Sequence, residues 1–275
     1  MLRSFITFWL FCLLLVPAVK AVPAESQLAQ LPELQLLTEH SPPGEYLDAQ
    51  GQLSGVTYQL LRDLADELQE PVQFQLLPWA RAFSLATSQP STGLFETTRT
   101  VQREALFQWV GPLKIHRLYL FARKDRFDPA LPQQLWPQHY TACEYNKSAY
   151  LEKLAQSGFV QEPQLYRPMK QGDCFEMLMR QRVDLILLSD TSYALRQPEL
   201  AANQVELVKV AEFASTTQYL AFSLDVPARR VARWQQALMQ SYRDGRMRQR
   251  YQGIYPEAML EALEQFAQQQ LPETN

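Results

Sequence analysis

The chain has 275 residues, with 26 Lys+Arg against 29 Asp+Glu and a net charge of −3. Hydrophobic residues make up 47%, a globular composition that excludes a disordered, collagenous or disulfide-dense chain. The negative balance argues against nucleic acid, whose phosphates need a positive field, and no GxGxxG or GxxxxGK[ST] phosphate loop occurs among the 9 glycines.

Arg3 precedes an apolar run at residues 5–16 (FITFWLFCLLLV), and Pro17 and small residues follow. This is the layout of a secretory signal peptide, expected over residues 1–21, and the run is shorter than the ~20 residues of a spanning helix. Cleavage after Ala21 removes two positive charges, Arg3 and Lys20, and no acid. Cys12 lies inside the apolar run behind Phe11 rather than a small residue, so lipidation is not expected. The mature chain is expected to be exported, soluble and monomeric. Two cysteines remain in it, Cys143 and Cys174. In an oxidising compartment they are either a disulfide, stabilising by roughly 3–4 kcal/mol in chain-entropy terms, or two buried thiols.

The body alternates strands and helices. Residues 34–38 (LQLLT) read as a short buried strand. Gly55 opens a helix in which Val56, Leu60, Leu61, Leu64 and Leu68 recur at helical spacing, ended by Pro71. Residues 72–77 form a second strand, residues 79–86 a helix after Pro78, and residues 93–97 a third strand. Residues 118–123 (LYLFAR) and 141–145 are further strands, the latter followed by a helix from Asn146 to Gln156 that Gly158 stops. Asp173-x-x-Glu176 is a capping-box pattern before the next helix. Residues 183–188 (VDLILL) and 218–222 are strands. Pro227 starts a helix buried through Val231, Trp234, Leu238 and Tyr242, and residues 256–270 form the last helix. This alternation indicates an α/β fold with mainly parallel sheets. Residues 114–124 and 212–223 are the candidates for carrying the chain between two lobes.

Enzyme signals are absent: His40, His116 and His139 are isolated, and there is no HExxH, CxxC or GxSxG pattern. No catalytic residue, metal or cofactor is therefore expected. The informative stretch is residues 76–113. Trp79 opens a helix directly after a strand, where ligands of open α/β sheets bind, and is either a flat ligand wall or core. Arg103 follows a further strand; its guanidinium can grip a carboxylate in a bidentate fork, or pair on the surface with Glu104 or Glu96. Asn146, Lys147 and Ser148 open the predicted second-half helix, either as an anion-binding N-terminus or as plain capping by Asn146. Ser189-Asp190 is either a helix cap or a carboxylate for a ligand ammonium.

PPGEYLDAQGQLSGVTYQLLRDLADEL, LPWARAF, TRTVQREALFQWVGPL, QRVDLILLSD and YRDGRMRQRY, in that order and behind a leader, resemble the bacterial family 3 solute-binding proteins. These are periplasmic receptors of polar amino acid ABC transporters and their relatives, and the LPWARAF form resembles one subgroup. The resemblance implies a two-lobed periplasmic binding protein type II fold, each lobe a mainly parallel sheet flanked by helices, joined by two crossover strands. Lobe 1 would comprise residues 22–113 plus 217–275, the crossings 114–126 and 211–216, and lobe 2 residues 127–210. The resemblance also implies that Arg103 holds a ligand carboxylate, Trp79 stacks on the ligand, and Thr98 offers a hydroxyl. Residues 146–148 and Asp190 would contribute from lobe 2, Asp190 to an ammonium. Tyr46 stands near the place where the family carries an aromatic after the first strand; the local motif is Pro42-Pro43-Gly44. Tyr145 stands where a glycine usually opens the lobe 2 ligand helix. The implied function is capture of a small carboxylated solute by hinge closure and delivery to an inner-membrane ABC permease. The alternatives are an orphan sensor module acting on a membrane partner, or a dehydratase-like enzyme with Glu96 or Asp190 as general acid.

Overall fold

The structure is a computed structural model that describes residues 32–170 and 172–270. The expected signal peptide, its cleavage site and Cys12 lie outside the described residues. No helix of the described residues is long and apolar enough to cross a membrane.

Leu34–Thr38 forms β1, and its buried leucines make it the core strand of the first half. A short hairpin of β2 (Tyr46–Leu47) and β3 (Leu53–Ser54) leads to the helix Val56–Leu68. Gly55 precedes that helix at φ 120°, and a side chain there would collide with the Gly44 carbonyl, so only glycine fits this entry. β4 (Val72–Leu76) and β5 (Thr92–Thr98) flank β1 in parallel, with the helix Trp79–Ser88 between them. At Gly93 an added Cβ would lie 2.5 Å from a Leu36 methyl, so the strands approach too closely there for any side chain.

Two 16-residue strands, β6 (Gln108–Arg123) and β10 (Leu207–Phe222), then pair antiparallel along their length. Between them the chain forms β7 (Ala142–Cys143), β8 (Leu165–Tyr166) and β9 (Leu185–Ser189). The eight-stranded order is β4-β1-β5-β10-β6-β9-β7-β8. The sheet is parallel at its two ends, but β5–β10, β10–β6 and β6–β9 are antiparallel. The fold is an α/β fold with a mixed sheet flanked by helices: each end is mainly parallel, as expected for each lobe, and the outgoing and returning strands lie side by side at the centre.

Apolar clusters sit on both faces of each end. One joins Leu34, Leu36, Leu61, Phe95 and Trp234, where the helices Val56–Leu68, Ala228–Arg243 and Glu257–Gln269 cover the sheet. Another gathers Leu37, Trp79, Ala82, Leu94 and Phe107 under the helix Trp79–Ser88. The far end has its own clusters, around Leu154 and Phe159 and around Phe175 and Ile186.

Several local expectations change. β7 is only two residues, and the helix expected from Asn146 begins at Leu151 and ends at Gln156. Lys147 has a positive φ of 62°, which breaks the helical path, and residues 146–150 form turns. Asp173 does not cap its helix; Gly172 at φ 96° precedes Asp173–Met179, leaving Asp173 in the first turn. The helix Asp190–Ala202 follows the Ser189 cap, one of the two readings of Ser189-Asp190, and the helix Arg246–Tyr251 is additional.

Cys143 at the end of β7 is bonded to Cys174 in the helix Asp173–Met179, across a sequence separation of 31. The bridge ties the short β7 to a helix that packs on β9. Replacing both cysteines by alanine is expected to lower stability by roughly 3 kcal/mol in urea unfolding. A loss below about 1 kcal/mol would mean that the bridge adds little restraint to the unfolded chain.

Candidate functional site

The carboxyl ends of β1 and β5 face those of β7 and β9 across a cleft of about 890 Å3. Trp79, Glu96, Thr98, Arg103 and Asp190, all singled out in the sequence, line it. Tyr46, Asn146, Lys147 and Ser148 are not among its lining side chains.

Arg103 is only 7% exposed. Its guanidinium lies 5.2 Å from the Trp79 ring and 5.0 Å from the Phe83 ring, donating from Nη1 to the Thr98 carbonyl at 3.2 Å and from Nη2 to the Lys147 carbonyl at 3.0 Å. Burial lowers its pKa, opposed by Tyr145, Tyr150 and Glu39, but a guanidinium stays charged. Neither Glu104 nor Glu96 pairs with it: Arg99 holds Glu104 at 2.5 Å, and Lys114 holds Glu96. Among the described residues no carboxylate lies within ion-pair distance of Arg103. A buried cation without an anion is costly, and a ligand carboxylate is the natural complement.

Trp79 is both core and wall. It is buried in the cluster under its own helix, and its indole N–H donates to the Lys147 carbonyl at 3.0 Å. Lys147 thus contributes its backbone, turned toward the cleft by the positive φ. The six-residue helix behind it is too short and begins too late for the anticipated anion-binding N-terminus. Asn146 accepts the Lys147 N–H at 3.1 Å, and Ser148 accepts the Tyr150 N–H at 3.1 Å, so both serve the turn. Tyr46 belongs to the β2–β3 hairpin.

Thr98 stands 3.3 Å from the Tyr150 hydroxyl, which donates to Thr216 at 3.1 Å. Glu96, at φ 61°, is ion-paired with Lys114, which also donates to the Tyr255 hydroxyl at 3.3 Å. Burial pulls the Lys114 ammonium down, but Glu96, Tyr255 and Glu45 outweigh it and leave its pKa above the ordinary value. Burial, with Lys114 nearby, pushes His116 down to about 3, so it is neutral. Ser189 caps the helix Asp190–Ala202 by accepting the Ser192 N–H at 3.1 Å, and Asp190 holds Lys209 at 2.6 Å.

Residues not singled out in the sequence complete the site. Glu39, directly after β1, accepts from the Tyr145 hydroxyl at 3.2 Å; burial pushes its carboxyl up to about 8. Glu144, directly after β7, is likewise raised to about 8 by burial, with the Ser148 hydroxyl acting against it. The available signal was positional: both follow the carboxyl end of a strand, where α/β sheets bind ligands.

The family profile of the bacterial extracellular solute-binding proteins, family 3, matches residues 34–255. No curated protein matches the chain. Among solved structures, the arginine-, lysine-, histidine-binding protein ArtJ from Geobacillus stearothermophilus is 15% identical, with a TM-score of 0.72 over 85% of this chain and 100% of that one. An ancestral arginine-binding protein bound to arginine is 16% identical, with a TM-score of 0.71 over 82% and 98%. A histidine kinase sensor domain with similarity to periplasmic binding proteins is 22% identical, with a TM-score of 0.69 over 81% and 96%. At these identities the likeness is one of fold.

The raised carboxyls set a pH dependence. Glu39 and Glu144 keep their protons to about 8 when folded but release them near 4.5 when unfolded. Between those values the folded state binds more protons, so its stability falls as pH rises. Differential scanning calorimetry of the ligand-free chain should show Tm decreasing from pH 7 to pH 8, above the titration of the histidines, and Glu144→Gln should remove about a third of that slope, since Glu45 is also held protonated by burial. A flat or rising Tm, unchanged in the variant, would mean that these carboxyls ionise at ordinary pH.

Proposed function

The chain belongs to the bacterial extracellular solute-binding proteins, family 3, and we propose that it is a periplasmic receptor for a small carboxylated solute, an amino acid. The observation that carries this reading is the buried Arg103 guanidinium, seated on Trp79 at the cleft with no carboxylate of the described residues beside it. Arginine is matched to carboxylates by its fork of donors. The amino acids named for the arginine-binding neighbours support the same solute class.

In this reading residues 22–113 and 217–275 form one lobe and residues 127–210 the other, with β6 and β10 as the hinge. Solute contacts from both lobes favour the closed state. Trp79 and Arg103 from one side already meet the Lys147 carbonyl from the other. The chain acts as a binding protein rather than an enzyme: Glu96, the candidate general acid, is neutralised by Lys114. Delivery of the solute to an inner-membrane ABC permease fits the family. The kinase sensor-domain neighbour favours a second reading, in which the closed form signals to a membrane partner. A permease gene beside this one supports transport, and a kinase gene supports sensing.

The test is thermal unfolding of the mature chain, stripped of carried-over solute by unfolding and refolding, against the twenty amino acids and small di- and tricarboxylates. A true ligand at ~1,000 times its Kd adds about 4 kcal/mol and raises Tm visibly. In calorimetry, Arg103→Ala should then weaken binding by about 10–150-fold, the equivalent of one charge-assisted contact. Unchanged affinity would remove Arg103 from the site.

A further inference from the structure

Four acids, Glu39, Glu96, Glu144 and Asp190, and four bases, Arg103, Lys114, Arg117 and Arg196, line the cleft, but they do not all pair with one another. Glu96 is matched by Lys114, Asp190 by Lys209, and Arg196 by Glu199 at 3.2 Å. Glu39, Glu144, Arg103 and Arg117 remain, and among the described residues neither acid has a cationic side chain within ion-pair distance. The two acids leave the sheet from β1 and β7, near its opposite ends, yet both line the one cleft. Glu144 lies close enough for its charge to raise the Glu39 carboxyl, and the Tyr145 hydroxyl donates to Glu39.

Resting on the receptor reading above, we propose that Glu144, with Glu39 opposite it, receives the cationic group of the captured solute, and that Asp190 does not. Asp190 is half exposed and held by Lys209, whose ammonium lies 3.9 Å from the Tyr119 ring centroid, so its charge is answered before any solute arrives. Glu144 is 5% exposed, with the Ser148 hydroxyl hydrogen-bonded to it, and its charge acts on Glu39 and on the Tyr145 and Tyr150 phenols. Glu39 faces Tyr145, Glu144, Glu96 and the guanidinium of Arg103. Two buried carboxyls in one chamber do not both ionise without a cation between them. An ammonium or guanidinium supplied by the solute lets them do so, while its own carboxylate lies on Arg103. The solute keeps its protons, and the carboxyl protons leave to solvent. Capture is therefore an exchange of a cationic group for protons, and Glu144 makes the site select solutes that carry such a group.

The raised pKa values of both acids set the window. Affinity should rise with pH between about 6 and 8, by up to about tenfold per pH unit for each proton released. Isothermal titration of the wild-type chain with L-arginine, L-lysine, L-histidine and L-glutamine, in phosphate and in Tris at pH 7, reads this directly. For a probe that binds, the heat should differ between buffers by the ionisation of up to about two protons per solute, one for each carboxyl that ionises. Glu144→Gln should lose about tenfold or more in affinity and about half of the buffer dependence, and Glu144→Asp should keep the buffer dependence. Asp190→Asn should bind within about threefold of wild type, the size expected of a solvent-screened charge. Circular dichroism and Tm establish that each variant is folded, and Glu144→Asp carries the test if the glutamine variant is not. Wild-type binding with no buffer dependence, or a loss of affinity in Asp190→Asn rather than at Glu144, overturns the inference and leaves the receptor reading intact. Failure of every probe to bind overturns both.

Discussion

A positive charge buried without a negative one organises this cleft. Arg103 leaves the turn after β5, rests beside the neighbouring Trp79 and Phe83 rings, and gives two of its donors to backbone carbonyls. Carbonyl dipoles soften the desolvation of a guanidinium but do not neutralise it. The field of the cleft is set by that residual charge and by the acids around it. Trp79 matters to the arrangement twice, as the face on which the guanidinium rests and as a second donor to the Lys147 carbonyl. The Lys147 backbone is presented to both because its φ is positive, a local conformation that also forbids the helix expected there.

The acids follow a different logic on each wall. On the floor, Glu96 and Glu45 share the single ammonium of Lys114, and burial together with Glu96 holds Glu45 well above the ordinary carboxylate range. That cluster is answered internally and stiffens the junction of β5, β6 and the segment around Tyr255. Among the described residues Glu39 and Glu144 have hydroxyls rather than ammonium or guanidinium groups as hydrogen-bond partners, so their charge state depends on what enters the cleft. The same burial that makes them neutral in isolation makes them strong acceptors for a cation, since a low-dielectric surrounding amplifies any charge pair it encloses.

Much of the fold was legible in the sequence. Helical spacing of Leu60, Leu61 and Leu64, and of Trp234, Leu238 and Tyr242, gave the helices that cover the first half, and LQLLT is β1 to the residue. The long central strands were legible only in part, because Gly111-Pro112 and the run Lys114-Ile115-His116-Arg117 interrupt the apolar pattern of β6. The helix Asp190–Ala202 has a single fully buried residue, Leu200, and so carries no apolar stripe to detect. At the site, Arg103, Trp79 and Thr98 stood out by residue type and position. Glu39 and Glu144 did not, because an acid after a short strand is unremarkable until its burial and its lack of a cationic partner are known.

Tyr145, standing where the family usually has a glycine, links these observations. Its hydroxyl reaches Glu39 across the cleft, as Gln102 reaches Glu152 at 2.6 Å and as Thr98 meets Tyr150. Each of these contacts joins the β5 side to the β7 side and is lost when the two sides part. On the proposed receptor reading, a closed form partly held by such contacts would have less of its solute affinity consumed in closure, since apparent affinity scales with the population of the binding-competent state. The same contacts place protein groups where solute groups would otherwise sit. A phenol in place of a glycine narrows the chamber beside Glu39 while giving that carboxyl a neutral partner. Selectivity then follows from competition: a solute gains only where it offers a cation to Glu39 and Glu144 and an anion to Arg103 stronger than the hydroxyl and carbonyl dipoles those groups already have.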